Sequence, residues 1–240
     1  MTTLLLRLAG PLQSWGIGSK FNQRSTERAP TKSAIIGLLA SALGRKRHES
    51  IQDLTTLRFG TRVDWEGALL RDYHMVHKEK FWNTRNALKD SDITERYYLA
   101  DASFLVGLEG DEDLLKMLET AVQNPRFPLF LGRRSCPPEG RVCLGLRLNI
   151  SLEEALREEP WLASAYLQRK APSTVQLRLV LDAAPDSKNA YFQRDMPESF
   201  DQKHRKYGYR SIDASQLVSI PNPSKARPSH DAMASLEEHF

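Results

Sequence analysis

Six segments with strand or helix patterns follow one another in an order that few folds share. Strand-like patterns occur at residues 3–9, 58–65, 102–108 and 142–150, and helical spacing occurs at 31–43 and from Asp111 to the residue before Pro125. Thr31 or Ser33 can cap the first helix, and Gly44 suits its end. An extra strand pattern at 69–76 follows a turn around residues 66–67. The order β-α-β(β)-β-α-β predicts an antiparallel sheet covered on one face by two helices.

This order indicates an α+β, ferredoxin-like (RRM-like) fold, whose open sheet face is a common RNA platform. Two regions exceed the minimal unit. Residues 77–99 are polar, basic and aromatic and predict a protruding insertion, while one good strand pattern, at 175–181, lies beyond residue 160. We therefore expect a ferredoxin-like domain at 1–159 and a small β-rich C-terminal lobe and tail at 160–240, closed by a short helix at 233–240.

The loop at 131–138 carries the strongest functional signal. Gly132 lets a backbone approach a ligand closely, and Arg133 and Arg134 each offer a planar fork of donors that fits a phosphate. The Ser135 hydroxyl adds a polar group, and two prolines stiffen the exit. The pattern favours a phosphodiester ligand, with a solvated surface turn as the alternative.

The net charge of +4 is small, but the basic residues are clustered. Clustered cations favour an anionic partner such as nucleic acid. One cluster combines cations with tyrosines near the C-terminus and either extends an RNA groove or is a solvated loop: Lys203, Arg205, Lys206, Tyr207, Tyr209 and Arg210.

Several function classes are not expected. The two cysteines form neither a zinc pattern nor a disulfide framework, and no acidic cluster, phosphate-binding motif or dinucleotide fingerprint predicts a metal or cofactor. No apolar run approaches the roughly 20 residues that span a bilayer. We expect a cytoplasmic protein with no membrane contact.

Five ordered segments resemble the CasD subunit family of type I-E CRISPR Cascade complexes, a branch of the RAMP superfamily. They are Leu-Arg-Leu-Ala-Gly-Pro-Leu-Gln-Ser-Trp-Gly at 6–16, Pro-Thr-Lys-Ser-Ala-Ile-Ile-Gly-Leu-Leu at 30–39, Leu-Arg-Asp-Tyr-His at 70–74, Asp-Ala-Ser-Phe at 101–104 and Leu-Gly-Arg-Arg-Ser-Cys-Pro at 131–137. The resemblance implies a ribonucleoprotein subunit in antiviral defence that grips the 5′ handle of the crRNA and caps the backbone filament beside the large subunit. Target DNA would be met indirectly, through the complex.

The resemblance also implies that the insertion is a thumb that reaches the neighbouring backbone subunit and the guide. Exposed aromatics among cations suit such a mixed contact. The residues expected in it are Lys78, Lys80, Phe81, Trp82 and Arg85.

The expected RNA site centres on Gly132, Arg133, Arg134 and Ser135, which occupy the position of the superfamily's glycine-containing loop. Trp15 either stacks on a splayed base or packs in the core.

The start of the first helix is a second candidate. Thr31, Lys32 and Ser33 open the helix, where the free N–H groups and the dipole favour an anion; plain N-capping is the alternative, and both can hold together. Arg24 and Arg28 either track the RNA backbone or lie in a solvated loop.

Tyr73 and His74 precede the insertion. We expect Tyr73 to stack or pack and His74 to hydrogen-bond to RNA or a neighbouring loop. The alternative function is a metal-independent endoribonuclease that cuts repeat RNA, with His74 as general base. The resemblance offers a precedent, since relatives in type I-C cut the repeat. Members of type I-E are not the processing nuclease, so we expect no catalysis.

Overall fold

Strands form most of the regular structure. A computed structural model describes residues 1–17, 22–77, 91–183 and 187–225. Its strands are β1 (Thr2–Ala9), β2 (Leu12–Gln13), β3 (Gln23–Arg24), β4 (Arg58–Trp65), β5 (Ala68–His77), β6 (Ser91–Ala100), β7 (Ser103–Gly110), β8 (Cys143–Leu148), β9 (Thr174–Asp182), β10 (Tyr191–Ser199), β11 (Lys206–Asp213) and β12 (Leu217–Pro221). Its helices are α1 (Lys32–Ala42), α2 (Gln52–Thr55), α3 (Glu112–Gln123), α4 (Leu152–Glu158), α5 (Ala165–Lys170) and a 3₁₀ turn at Pro223–Lys225.

The larger sheet has the strand order β10-β11-β9-β4-β7-β1-β8, and β12 also pairs with β9. Its central strands β4, β7, β1 and β8 are antiparallel neighbours that correspond to the four strands predicted around the two long helices. Thr31 caps α1, Asp111 caps α3, and Ser151 with Glu154 forms a capping box at α4. The predicted cap at Thr31 and the predicted start of a helix at Asp111 are confirmed.

Both faces of the central sheet are buried. Alternate residues of β1 point to opposite faces, so Leu4 packs in the cluster that includes α1 and α3, whereas Leu5 packs in a second cluster. That second cluster contains Leu152 and Leu156 of α4 together with Trp161. The expectation of an open sheet face for RNA is therefore wrong, because α4 and the segment after it cover that face.

The other four strands form a smaller sheet. Strand β5 pairs with β6 from Ala68↔Ala100 to His77↔Ser91, and β6 also pairs with the short strands β2 and β3. Strand β6 overlaps the second half of the predicted insertion and was not predicted, because its polar residues do not alternate with apolar ones. The paired strands β5 and β6, called the ribbon below, begin at residue 68 rather than 77, and residues 78–90 between them lie outside the described residues.

The C-terminal region continues the larger sheet. Strand β9 pairs with β4, for example Thr61↔Val180, and this pairing joins strands from both sides of the predicted boundary at residue 159. The division into two domains stays a prediction. The predicted helix at 233–240 lies outside the described residues, and no described helix has the length and apolar character needed to cross a bilayer.

Candidate nucleic-acid interface

A cleft of about 820 Å³ opens between α1, the segment 127–137 and the turn that joins β10 to β11. The wall from α1 includes Ser33, and the loop opposite contributes Gly132 and Arg134. The third wall contains Phe200, Arg205 and Tyr207. Segments far apart in sequence therefore meet in one groove.

The charge of this cleft is one-sided. Five cations line it, namely Arg45, Lys46, Arg47, Arg134 and Arg205, and none of the described lining residues is acidic. A groove lined by one sign of charge raises the local concentration of its counter-ion, which here is an anion.

Arg45 differs from the other four cations because it has an acidic partner. Its Nη1 donates to Asp53 Oδ1 at 2.6 Å, and this hydrogen bond raises the arginine's pKa despite the partial burial. Lys46 and Arg47, which follow it, are exposed.

Aromatic rings stand among these cations. Phe127, Phe130, Phe200 and Tyr207 line the cleft, and the last two rings pack with centroids 6.4 Å apart. The Arg205 guanidinium lies 5.6 Å from the centroid of Tyr207. Rings beside cations suit the stacked bases and the phosphates of a single-stranded nucleic acid.

Gly132 positions the loop that closes this cleft. Its φ is +83°, and a Cβ there would lie 1.7 Å from the backbone oxygen of Ser14. The turn is further held by Cys136 N donating to the Arg133 carbonyl at 2.8 Å and by Leu131 N donating to the Cys136 carbonyl at 2.7 Å. Only glycine lets this loop pack so closely against the exit of β2.

The two arginines after Gly132 point to different surroundings. Arg134 is exposed and lines the cleft. Arg133 is half-buried, its Nη2 donates to the Arg24 carbonyl at 3.0 Å, and its guanidinium stacks 4.6 Å from the ring centroid of Tyr98 on β6. The structure thus gives Arg134 access to a ligand and uses Arg133 to tie the loop to the ribbon.

Ser135 is exposed but does not line the cleft. Its hydroxyl lies 3.9 Å from the buried Cys136 sulfur, and burial raises the pKa of that thiol. The cysteine is therefore a neutral part of the loop's underside.

The start of α1 differs from the expectation of an anion site. Asp195 Oδ2 already accepts from Lys32 N at 2.8 Å, and Thr31 is buried as the cap. Lys32 is also buried, with its Nζ 3.6 Å from Asp182, and burial lowers its pKa. The RNA-binding prediction for Thr31 and Lys32 is wrong, because the protein's own carboxylate occupies the helix N-terminus. Ser33 alone of the three reaches the cleft.

Arg210 completes this buried ionic group. Its Nε and Nη2 each lie 2.8 Å from the Asp195 carboxylate, and its Nη1 donates to Asp182 at 2.6 Å. Together with Lys32 these side chains join β9, β10 and β11 to α1. The group holds the third wall of the cleft in place and makes Arg210 unavailable to an external anion.

Trp15 is a core residue. Its ring is 0% exposed and meets Phe104 edge-on at 6.5 Å between centroids, so the base-stacking prediction is wrong. Arg24 and Arg28 are exposed, and the Arg24 carbonyl accepts a hydrogen bond from Arg133. Their predicted contact with an RNA backbone stays untested.

Tyr73 and His74 lie within the ribbon and are both exposed. As neighbours on β5 they face opposite sides of it, opposite Glu95 and Thr94 respectively. His74 Nδ1 lies 3.8 Å from Asp72 Oδ1. Neither residue lines the cleft, so a role in RNA binding would use a separate surface. The predicted thumb contacts, Lys78, Lys80, Phe81, Trp82 and Arg85, lie outside the described residues.

Sequence reasoning missed the basic segment 45–47 and the rings of Phe127 and Phe130. The run Arg-Lys-Arg directly after Gly44 was a usable signal, since a helix end places such a run at the surface. The structure also splits the C-terminal basic cluster, because Arg205 and Tyr207 enter the cleft while Arg210 is buried. Within the described part of the chain, no group of three or more histidine, cysteine or acidic side chains could hold a metal.

Comparison with known proteins identifies the family of this chain. A family model described as CRISPR-associated protein (Cas_Cas5) matches residues 3–213. The CRISPR system Cascade subunit CasD of Escherichia coli (strain K12) is 40% identical over 159 residues, covering 59% of this chain and 70% of that protein. A solved structure titled "CRISPR RNA-guided surveillance complex" has a TM-score of 0.76 at 31% identity and covers 98% of both chains. Another, "Crystal structure of Cas protein", has a TM-score of 0.68 at 38% identity, covering 92% of this chain and 95% of that one. This chain belongs to the CRISPR-associated protein family Cas_Cas5.

Proposed function

We propose that this protein is a non-catalytic crRNA-binding subunit of a type I-E CRISPR surveillance (Cascade) complex and that the cleft holds the 5′ handle of the crRNA. One observation carries the proposal: the glycine loop, the basic segment after α1 and the β10–β11 turn converge on one groove that combines five cations with four aromatic rings. The relative named as a Cascade subunit and the structure titled as an RNA-guided complex support this choice of partner.

The mechanism is geometric and electrostatic. Arg134, Lys46, Arg47 and Arg205 would neutralise handle phosphates, since cations that contact phosphates supply most of the sequence-independent affinity. Tyr207, already packed against Phe200, would stack on a base that is splayed into the cleft. The buried ionic group keeps the third wall at a fixed distance, so little ordering is needed when RNA binds.

The remaining parts of the chain fit the same role. The strand order β4-β7-β1-β8 with α1 and α3 supports a ferredoxin-like core, and the β5–β6 ribbon supports a thumb whose tip contacts the Cascade backbone subunit. In this proposal the protein caps the backbone filament next to the large subunit, and target DNA is met only through the assembled complex.

A binding titration tests the proposal. The full chain is mixed with a fluorescent RNA that carries the 5′ handle, at several salt concentrations, and compared with Arg134→Ala combined with Arg47→Ala. For single strands the slope of log affinity against log salt falls by about 0.7 for each phosphate that the protein no longer neutralises, so a fall of about 1.4 is expected. Arg169→Ala, which removes an exposed arginine of α5 outside the cleft, is the matched control.

An unchanged slope in the double variant would contradict the proposed cleft. Catalysis is tested separately, by incubating the protein with repeat RNA in EDTA. We expect no specific cut. A single specific cut that is lost in His74→Ala would overturn the non-catalytic function in favour of the endoribonuclease.

A further inference from the structure

Resting on the proposed function, we infer that the RNA strand leaves the cleft along the outer face of β11. There it stacks on a ladder of three rings from Tyr207, Tyr209 and Phe192. This aromatic ladder would add a second length of bound single strand to the part held inside the cleft.

The register of the β10–β11 ribbon places the three rings on one face. Residues two apart on a strand share a face, so Tyr209 and Ser211 lie on the same side of β11 as Tyr207. Phe192 is paired directly with Ser211 across the ribbon and therefore has its side chain on that side as well. Successive rungs along β11 are about 6.6–6.8 Å apart, from a rise of about 3.3–3.4 Å per residue.

The rings of Tyr209 and Phe192 are exposed to solvent and are not part of the hydrophobic core. Tyr209 is 67% exposed and Phe192 is 77% exposed, which is the highest value after Met1 among the large apolar side chains that the structure describes. Adjacent exposed aromatics of this size mark a binding surface more often than a structural one. The ladder begins at Tyr207, which already lines the cleft, and so it is continuous with the proposed RNA site.

The charges of the ribbon favour a nucleic acid as the occupant. The exposed cations around it are Lys188, Arg194, Lys203, Arg205 and Lys206. The exposed acid Glu198 is paired with Lys206 at 2.5 Å, and Asp201 is half-buried. An excess of exposed cations beside a row of rings matches the pattern of sequence-tolerant single-strand binding.

The test compares two fluorescent oligouridylates, of about 4 and about 12 nucleotides, a range that spans the site sizes of comparable single-strand surfaces. The full chain is compared with the double variant Phe192→Ala and Tyr209→Ala. We expect the longer RNA to lose about fivefold to 150-fold in affinity for each ring removed, and the shorter RNA to bind unchanged. Tyr209→Phe should retain binding, and Tyr166→Ala, an exposed ring on α5, is the control.

Three results overturn the inference. The double variant could bind the longer RNA as tightly as the original chain, or it could lose affinity equally for both lengths. It could also keep RNA binding but fail to assemble with other Cascade subunits, which would assign the face to a protein partner. Failure of the proposed function looks different, because then Arg134→Ala would leave the affinity for both RNAs unchanged.

Discussion

Replacing Gly132 with alanine should be the most damaging single methyl addition in the loop at 131–138. The backbone φ of +83° is unfavourable for any residue with a Cβ, at about 1–2 kcal/mol. The new Cβ would also lie 1.7 Å from Ser14 O, and reaching even 3.0 Å requires one segment to move by about 1.3 Å. The acceptor is backbone, so no side chain can rotate away to relieve the contact.

Gly140 provides a matched control in the same chain. Its φ is +68°, but a Cβ there would meet only the Arg7 Nη1 atom, at 3.4 Å. Gly140→Ala therefore carries the conformational cost without the backbone clash. With a shift of about 2–4 °C per kcal/mol in a chain of this size, it should lower Tm by about 2–8 °C.

Thermal unfolding and RNA binding measured together separate the two effects. Gly132→Ala should lower Tm by more than Gly140→Ala and should also weaken handle-RNA binding by about tenfold or more, because an anchor displaced by 1 Å loses its geometry. Gly140→Ala should leave RNA affinity unchanged. Equal Tm shifts and equal RNA affinities in the two variants would refute the close approach to Ser14.

The remaining predictions concern charged side chains. Arg134→Ala should reduce the salt slope of RNA binding by about 0.7, whereas Arg133→Ala should weaken binding without changing that slope, because its guanidinium contacts protein groups; equal slopes in the two variants would contradict their separate roles. Asp195→Asn should lower the free energy of unfolding by about 3–5 kcal/mol in urea titrations, because it removes the carboxylate that two nitrogens of the buried Arg210 guanidinium contact and leaves only Asp182 as its anion. A loss below about 1 kcal/mol would count against the ionic group. Burial, with a smaller contribution from the charge of Asp195, raises the pKa of Glu27 above 4.5, so the folded state keeps that proton longer than the unfolded state. Stability should therefore fall as pH rises above 4.5 through the raised pKa, and Glu27→Gln should remove this fall when unfolding is followed from pH 4.5 to 7; a parallel pH profile in the variant would disprove it.

Local signals predicted most of the central fold. The caps at Thr31, Asp111 and Ser151 identify helix starts because their oxygens satisfy free backbone N–H groups at short range. Strands β1 and β7 were predictable because each is a mostly apolar run that is buried on both faces.

Strands β6, β10 and β11 were missed for a physical reason. Their residues are polar, aromatic and partly exposed, so neither helical nor strand periodicity appears in the sequence, and they form through pairing with partner strands. The cover that α4 places over the second sheet face was missed too, because the contact between Leu156 and the sheet depends on tertiary packing.

The sequence predicted the position of the glycine loop in the candidate site, but it did not predict the directions of the side chains that follow Gly132. Gly132 is followed directly by two arginines, and this local pattern can be recognised in the sequence. The sequence contained no signal that Arg133 would stack on Tyr98 while Arg134 faced the cleft. The acid that neutralises the start of α1, Asp195, lies 163 residues from Lys32, beyond the reach of any spacing rule.

The claim that the cleft holds the crRNA can be tested by ultraviolet cross-linking in the assembled complex, followed by mass spectrometry of the RNA-linked peptides. Cross-links from the first nucleotides of the crRNA should map to the segment 127–137 and to Phe200 or Tyr207. Cross-links confined to other surfaces, with both of those segments recovered unmodified, would contradict it.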